Sequence, residues 1–166
     1  GLAPELVQAV ADLGYTQPTS VQLKAIPLAM GSGNDSTSFI DLMVSSQTGS
    51  GKTAAFLLPV LHTLIQQQAA AEAEERAAFE RAVAEAAARG EPAPKRAKRK
   101  DPTNSRNFKA ATPGALILCP TRELAQQVAH DAIDLVKHCR GLRVANVVGG
   151  MPYQLQIAKL QNANLV

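Results

Sequence analysis

The stretch Ser46-Gln47-Thr48-Gly49-Ser50-Gly51-Lys52-Thr53 constrains this chain more than any other. The apolar run Phe39-Ile40-Asp41-Leu42-Met43-Val44 precedes it, and Ala54-Ala55-Phe56-Leu57-Leu58 opens a helical pattern after it. Strand, glycine-bearing loop, Lys-Thr and helix, in that order, make a phosphate-binding loop. Gly49 and Gly51 let the backbone take positive φ and turn its N–H groups onto an anion. The following helix adds its free N-terminal amides and the positive end of its dipole. Lys52 reaches the β/γ-phosphates as a point charge, and the Thr53 hydroxyl is a ligand for Mg²⁺. The common form of this loop begins with Gly; here Ser46 takes that place.

The segments around the loop set a fold class. Residues 4–13 read as a helix with Pro4 in its first turn, an apolar stripe of Leu6, Val7 and Val10, and Gly14 as its stop. Gly14-Tyr15-Thr16-Gln17-Pro18-Thr19-Ser20-Val21-Gln22 follows. Thr19 is an N-cap for a helix over about 20–29, and Gln22 stands three residues on, as in a capping box. Gln22 has a second reading, because an amide offering donor and acceptor together suits the edge of an adenine ring. After the loop, Leu57, Leu61, Leu64 and Ile65 share one helical face.

Ala115-Leu116-Ile117-Leu118-Cys119 reads as a buried strand. Pro120-Thr121-Arg122-Glu123-Leu124 turns from it into a helix with Leu124, Val128, Ala132, Leu135 and Val136 inward. Residues 143–148 read as a third strand ended by Gly149-Gly150. A short helix over about 153–160 comes next, and Leu165-Val166 opens a fourth strand. Strands alternating with helices imply βαβ units on a parallel sheet. Ligands of such sheets gather at the carboxyl ends of the strands. The phosphate loop, Pro120-Thr121-Arg122 and Gly149-Gly150 all fall at such ends.

Residues 66–112 differ in character. Over 69–89 the sequence is mostly Ala, Glu and Arg, with Glu72/Arg76/Glu80 and Arg81/Glu85/Arg89 at i, i+4 spacing. An exposed helix that prolongs the one before it and ends at Gly90 is expected. Glu91 to Ala110 holds three prolines and the basic run Lys95, Arg96, Lys98, Arg99 and Lys100, and is expected to be a disordered loop. That run has three readings: a solvated loop, an attraction for RNA, or a nuclear import signal. It also accounts for the net charge of +3, since without it 12 basic residues face 14 acidic ones.

Two cysteines, Cys119 and Cys139, are too few for a disulfide framework. No apolar run approaches the roughly 18 residues of a membrane span. The chain opens at Gly1 without Met and closes on Asn164-Leu165-Val166, so it is expected to be part of a longer protein.

Four separated motifs now agree. Gly14 to Gln22 resembles the Q motif of the DEAD-box RNA helicases, and Ser46 to Thr53 resembles their motif I. Pro120-Thr121-Arg122-Glu123-Leu124-Ala125 resembles their motif Ia, and Gly149-Gly150 their GG motif. The resemblance covers nearly all of the chain outside 66–112. It implies an α/β fold of the P-loop NTPase class, a RecA-like parallel sheet flanked by helices and incomplete at its C-terminal end. Residues 1–166 would then be a partial N-terminal RecA-like domain with 66–112 as an insert.

The resemblance implies ATP and Mg²⁺ as cofactors and RNA, held mainly by its sugar-phosphate backbone, as partner. Gln22 would read adenine, with Tyr15 and Gln17 beside the base. Ser46, Gln47, Thr48, Gly49, Ser50 and Gly51 would cradle the phosphates, with Lys52 and Thr53 as catalytic residues and Thr53 on the metal. Pro120, Thr121, Arg122, Gly149 and Gly150 would face RNA. The family's Asp-Glu-Ala-Asp box, its Ser-Ala-Thr motif and its second RecA-like domain are absent from these residues. The second domain is therefore an expected partner from the same parent chain, and the segment alone is expected to hydrolyse ATP negligibly. A cytoplasmic setting without membrane association is expected, with the nucleus as the alternative. A P-loop ATPase acting on DNA and a non-catalytic RNA-binding module are the competing functions.

Overall fold

The computed structural model describes residues 1–31, 41–95, 105–107 and 110–166. Five α-helices organise them: α1 (Pro4–Asp12), α2 (Ser20–Ala29), α3 (Lys52–Ala88), α4 (Arg122–Leu135) and α5 (Tyr153–Leu160). A 3₁₀ turn spans Ser105–Asn107.

The centre of the fold is the first third of α3. Leu57 and Leu61 are sealed from solvent, and Leu64 nearly so. They pack with Leu6 of α1, Val128, Ala132 and Leu135 of α4, and Leu165. Each fully buried Leu contributes about 1.5–3 kcal/mol from removal of apolar surface. The buried stripe of α1 is Leu6 and Ala9 with Val10 half covered, whereas Val7 is 53% exposed. Val7 therefore leaves the expected stripe; at 100° per residue it points away from the Leu6–Ala9 face. Leu124 is a second correction. It is 39% exposed, and the inner face of α4 begins at Val128, because the first turn of α4 projects beyond the core towards the strand ends.

Parallel pairing is present at Leu165, which bridges Ala115 on one side and Val144 on the other. Ile117 N–H donates to Val166 O at 2.8 Å, and Ala145 N–H to Leu165 O at 2.9 Å. The last segment of the chain thus lies between the two segments that precede it. The pairing is short, and no described segment forms a longer ladder. Asp41 to Gln47 is such a case. Leu42, Met43 and Val44 are exposed and have no described neighbour to pair with, and a strand exists only where a neighbour accepts its backbone bonds. Phe39 and Ile40 lie outside the described residues.

The 115–119 segment is not fully buried as expected. Ala115, Ile117 and Cys119 lie against the core, but Leu116 is 64% and Leu118 84% exposed. Successive residues of an extended chain face opposite sides, and helices cover only one side here.

Beyond Ile65, α3 continues without a break to Ala88, so the Ala/Glu/Arg stretch does prolong the first helix. Its 37 residues make a rod of about 55 Å. Gly90, at φ 69, follows the cap residue Arg89. Of the spaced charge pairs, Arg89 and Glu85 meet at 3.7 Å. Lys95 is exposed, and the rest of the basic run lies outside the described residues.

Candidate nucleotide and RNA-facing site

The local sequence builds the entry to α3. Gly51 is its N-cap at φ 86, a left-handed conformation that places the loop directly on the helix N-terminus. Gly49, at φ 79, makes the preceding turn, closed by Ser50 N–H donating to Gln47 O at 3.3 Å. The Lys52 ammonium folds back over the loop. It donates to the carbonyls of Ser46 and, at 2.7 Å, of Gln47. A cation bound only to carbonyls in the mouth of a glycine loop is placed to exchange them for an anion. Ser50 Oγ is buried without a hydrogen-bond partner. Lys52 and Thr53 line one cavity of about 630 Å³ that extends between α2, α3 and the 116–119 segment. Free helix amides, one ammonium and an unpartnered hydroxyl suit a phosphate group, and Thr53 on the first turn adds a hydroxyl of the kind that ligates Mg²⁺.

Gln22 takes the first of its two sequence readings, the capping box. Its N–H donates to Thr19 Oγ1, and its Oε1 accepts from Thr19 N–H at 3.0 Å, which completes the capping box. Its Nε2 also donates to Gly51 O at 3.2 Å. The turn before α2 is therefore joined directly to the phosphate loop. Tyr15 is 59% exposed and Gln17 is exposed, both on the chain leading to Thr19.

A second cluster forms at the other strand ends. Pro120, Thr121 and Arg122 are exposed at the start of α4. The Arg122 guanidinium lies against Gly149 and Gly150, with Nη2 3.6 Å from the place a Cβ would take on either glycine. Gly150 is left-handed at φ 84. Arg122 and the glycine pair thus form one exposed surface.

Sequence reasoning missed three features. Thr121 caps α4, its Oγ1 accepting from Leu124 N–H at 3.2 Å, as a Thr ahead of a helix should. Gln156 Nε2 donates to Met151 O at 2.9 Å, fastening α5 to the turn after Gly150. Asp12 holds three partners: His138 Nε2 at 2.7 Å, Lys137 Nζ at 3.0 Å and Gln8 Nε2 at 3.0 Å. The hydrogen bond from His138, with those from Lys137 and Gln8, holds the Asp12 carboxyl well below the usual carboxylate range. Asp12 and His138 stand 126 residues apart, so only the i, i+4 pair Gln8/Asp12 had a local signal.

Known proteins resemble this chain over nearly its whole length. The chain is 35% identical over 153 residues to the ATP-dependent RNA helicase SrmB of Haemophilus influenzae, covering 92% of this chain and 24% of the relative. It is 33% identical over 161 residues to the ATP-dependent RNA helicase DeaD of Escherichia coli, covering 97% of this chain and 18% of that one. The chain therefore spans about a quarter or less of the length of these relatives. Among solved structures, it superposes on the RNA helicase Prp28 of Chaetomium thermophilum bound to ADP with a TM-score of 0.63 at 31% identity, covering 99% of this chain and 30% of that one. A DEAD box protein of Methanococcus jannaschii gives 0.64 at 27% identity, over 99% and 32% of the two chains. The fold is RecA-like, of the P-loop NTPase class. With the DEAD/DEAH box helicase family model matching residues 19–166, the chain belongs to that family.

Proposed function

We propose that this chain is the nucleotide-binding part of an ATP-dependent RNA helicase that unwinds or remodels RNA duplexes and RNA–protein complexes. The observation that carries the reading is the bond from Gln22 to Gly51, which ties the adenine-reading candidate to the phosphate loop. The family membership and the names of the relatives support it.

In this reading residues 1–166 are part of an N-terminal RecA-like domain, and 66–112 is an insert in it. Tyr15, Gln17 and Gln22 hold the base. The amides from Ser46 to Gly51, with the Ser50 hydroxyl and the Lys52 ammonium, hold the phosphates. Thr53 ligates Mg²⁺. ATP supplies the phosphoryl group whose transfer drives the remodelling. Lys52 leaves the Ser46 and Gln47 carbonyls for phosphate oxygens, a stronger pairing because both partners are charged.

Pro120, Thr121, Arg122, Gly149 and Gly150 contact the sugar-phosphate backbone. Thr121 Oγ1 accepts from Leu124 N–H in the α4 cap and keeps its O–H to donate to a phosphate oxygen, and Arg122 is the charged member of that surface. Backbone contacts position a nucleic acid without reading its sequence. The Asp-Glu-Ala-Asp box and the second RecA-like domain of a longer parent chain together supply the remaining groups for hydrolysis, and the setting is cytoplasmic.

The test is the stimulation of ATP hydrolysis by nucleic acid, measured on the parent protein. RNA duplexes should raise turnover well above DNA duplexes of the same sequence. Equal or greater stimulation by DNA overturns the RNA reading.

A further inference from the structure

Arg122 is an exposed cation without a counter-charge. Its guanidinium lies against Gly149 and Gly150 and makes no hydrogen bond or ion pair among the described residues. Its N–H donors, set in a fixed planar fork, are therefore all available to an anion.

The turn beside it is tied down. Gly150 is left-handed at φ 84, and Gln156 Nε2 donates to Met151 O at 2.9 Å. Pro152, with its restricted φ, is the N-cap of α5. These constraints deliver Tyr153 to the first turn of α5 on an ordered backbone. Its side chain is nonetheless 84% exposed, more than any other aromatic among the described residues. Its hydroxyl has no hydrogen-bond partner there. A tyrosine held this way forgoes the burial from which aromatic rings draw most of their stabilisation.

Tyr153 stands three residues after Gly150, so the two Cα atoms are at most about 11 Å apart. One strand of nucleic acid carries a phosphate about every 3.4 Å along its axis. A strand pinned at Arg122 therefore passes Tyr153 within about three nucleotides. A cation for the phosphates with an aromatic ring for the bases is what single-stranded nucleic acid requires of a surface. A base inside a duplex has both faces covered by its neighbours, whereas an unpaired base offers one to a ring.

Resting on the RNA-facing reading of Arg122 and the glycine pair, we propose that Tyr153 is a stacking platform for an unpaired base of the RNA strand whose phosphates Arg122 holds. Every base has a π-face, so such a platform selects for single-stranded RNA and not for sequence. Gln156 is its positioning residue, because it fastens α5 to the turn that carries the glycine pair.

The test is equilibrium binding to the parent protein, read by fluorescence anisotropy. The probes are labelled single-stranded oligoadenylate and an abasic ribose-phosphate strand of the same length. Tyr153→Ala should weaken oligoadenylate binding about tenfold, which is about 1.4 kcal/mol, and leave the abasic strand unaffected. The slope of log affinity against log salt should stay unchanged, since no phosphate contact is lost. Tyr153→Phe should bind like the unaltered protein, because the ring and not the hydroxyl makes the stack. Arg122→Ala should instead flatten the salt slope by about 0.7 on both strands. Unchanged oligoadenylate affinity in Tyr153→Ala, or an equal loss on the abasic strand, overturns the proposal. If the Arg122→Ala slope still flattens in that case, the RNA-facing reading stands and only the stacking role falls. If neither variant changes binding, both fall.

Discussion

Gln22 Nε2 donates to Gly51 O at 3.2 Å, across 29 residues of sequence, while Gln22 Oε1 accepts from Thr19 N–H at 3.0 Å. One side chain therefore ends the turn before α2 and steadies the N-cap of α3. Gln22→Ala removes both links. A loss of about 1–2 kcal/mol in unfolding free energy is expected, the sum of a capping contribution and one modest hydrogen bond. Urea denaturation followed by circular dichroism measures it. Nucleotide affinity should fall with it, whereas Gln8→Ala, on the exposed side of α1, should leave nucleotide affinity unchanged.

Gly51→Ala attacks the same junction from the other side. At φ 86 an alanine costs about 1–2 kcal/mol in backbone strain. Its Cβ would also stand 2.5 Å from Gln22 Nε2 and 3.1 Å from Thr19 Oγ1. The variant should thus lose the strain energy and the Gln22 contact together. Because the two residues touch, the double variant Gln22→Ala/Gly51→Ala should cost less than the sum of the single ones. Additive losses in a double-mutant cycle would show that the two do not communicate.

Much of this region was legible from the sequence, and the division follows range. Thr19 and Gln22 announce their capping box because three residues separate them, and Gly49 and Gly51 announce the loop because no other residue takes positive φ so easily. The extent of α3 was readable because Ala, Glu and Arg all favour helix. The order of the paired segments was not, since Leu165 chooses both Ala115 and Val144 at long range. Val7 and Leu124 fit an apolar stripe by type, yet only packing decides that Ala9 is buried and Val7 is not. Leu116 and Leu118 looked buried for the same reason: hydrophobicity does not say whether the second face of a sheet is covered. Of the proposed site residues, Arg122 and Gly149-Gly150 could be placed at strand ends in advance, but not against one another.

The cluster at Asp12 predicts an acid-sensitive joint between α1 and the end of α4. A carboxyl whose folded value lies below its unfolded value of 3.8 stabilises the fold above that value. The contribution disappears as pH falls through and below it, once the carboxyl protonates. Thermal unfolding of Asp12→Asn and the unaltered chain should therefore differ most near pH 6, and the two curves should converge towards pH 2. A gap in Tm that stays constant over that range would remove Asp12 from the account.

The uncovered sheet face predicts dye binding. Leu116, Leu118 and Val147 are 64%, 84% and 51% exposed and line one shallow cavity together. A contiguous apolar surface of this kind should bind anilinonaphthalene sulfonate in native buffer. Leu116→Ser with Leu118→Ser should reduce the fluorescence at a stability cost within about 0.5 kcal/mol, as for surface changes generally. By contrast, Leu61→Ala, in the sealed core, should cost about 2–5 kcal/mol.

The central claim is that the Lys52 ammonium, now bound to the Ser46 and Gln47 carbonyls, is held in the loop for phosphate. Its most direct test is Lys52→Ala in the parent protein, with RNA-stimulated ATP hydrolysis and RNA affinity measured side by side. The account predicts that turnover is abolished while RNA affinity is largely retained, because Arg122 and Gly149-Gly150 are untouched. Turnover that persists unchanged would contradict it.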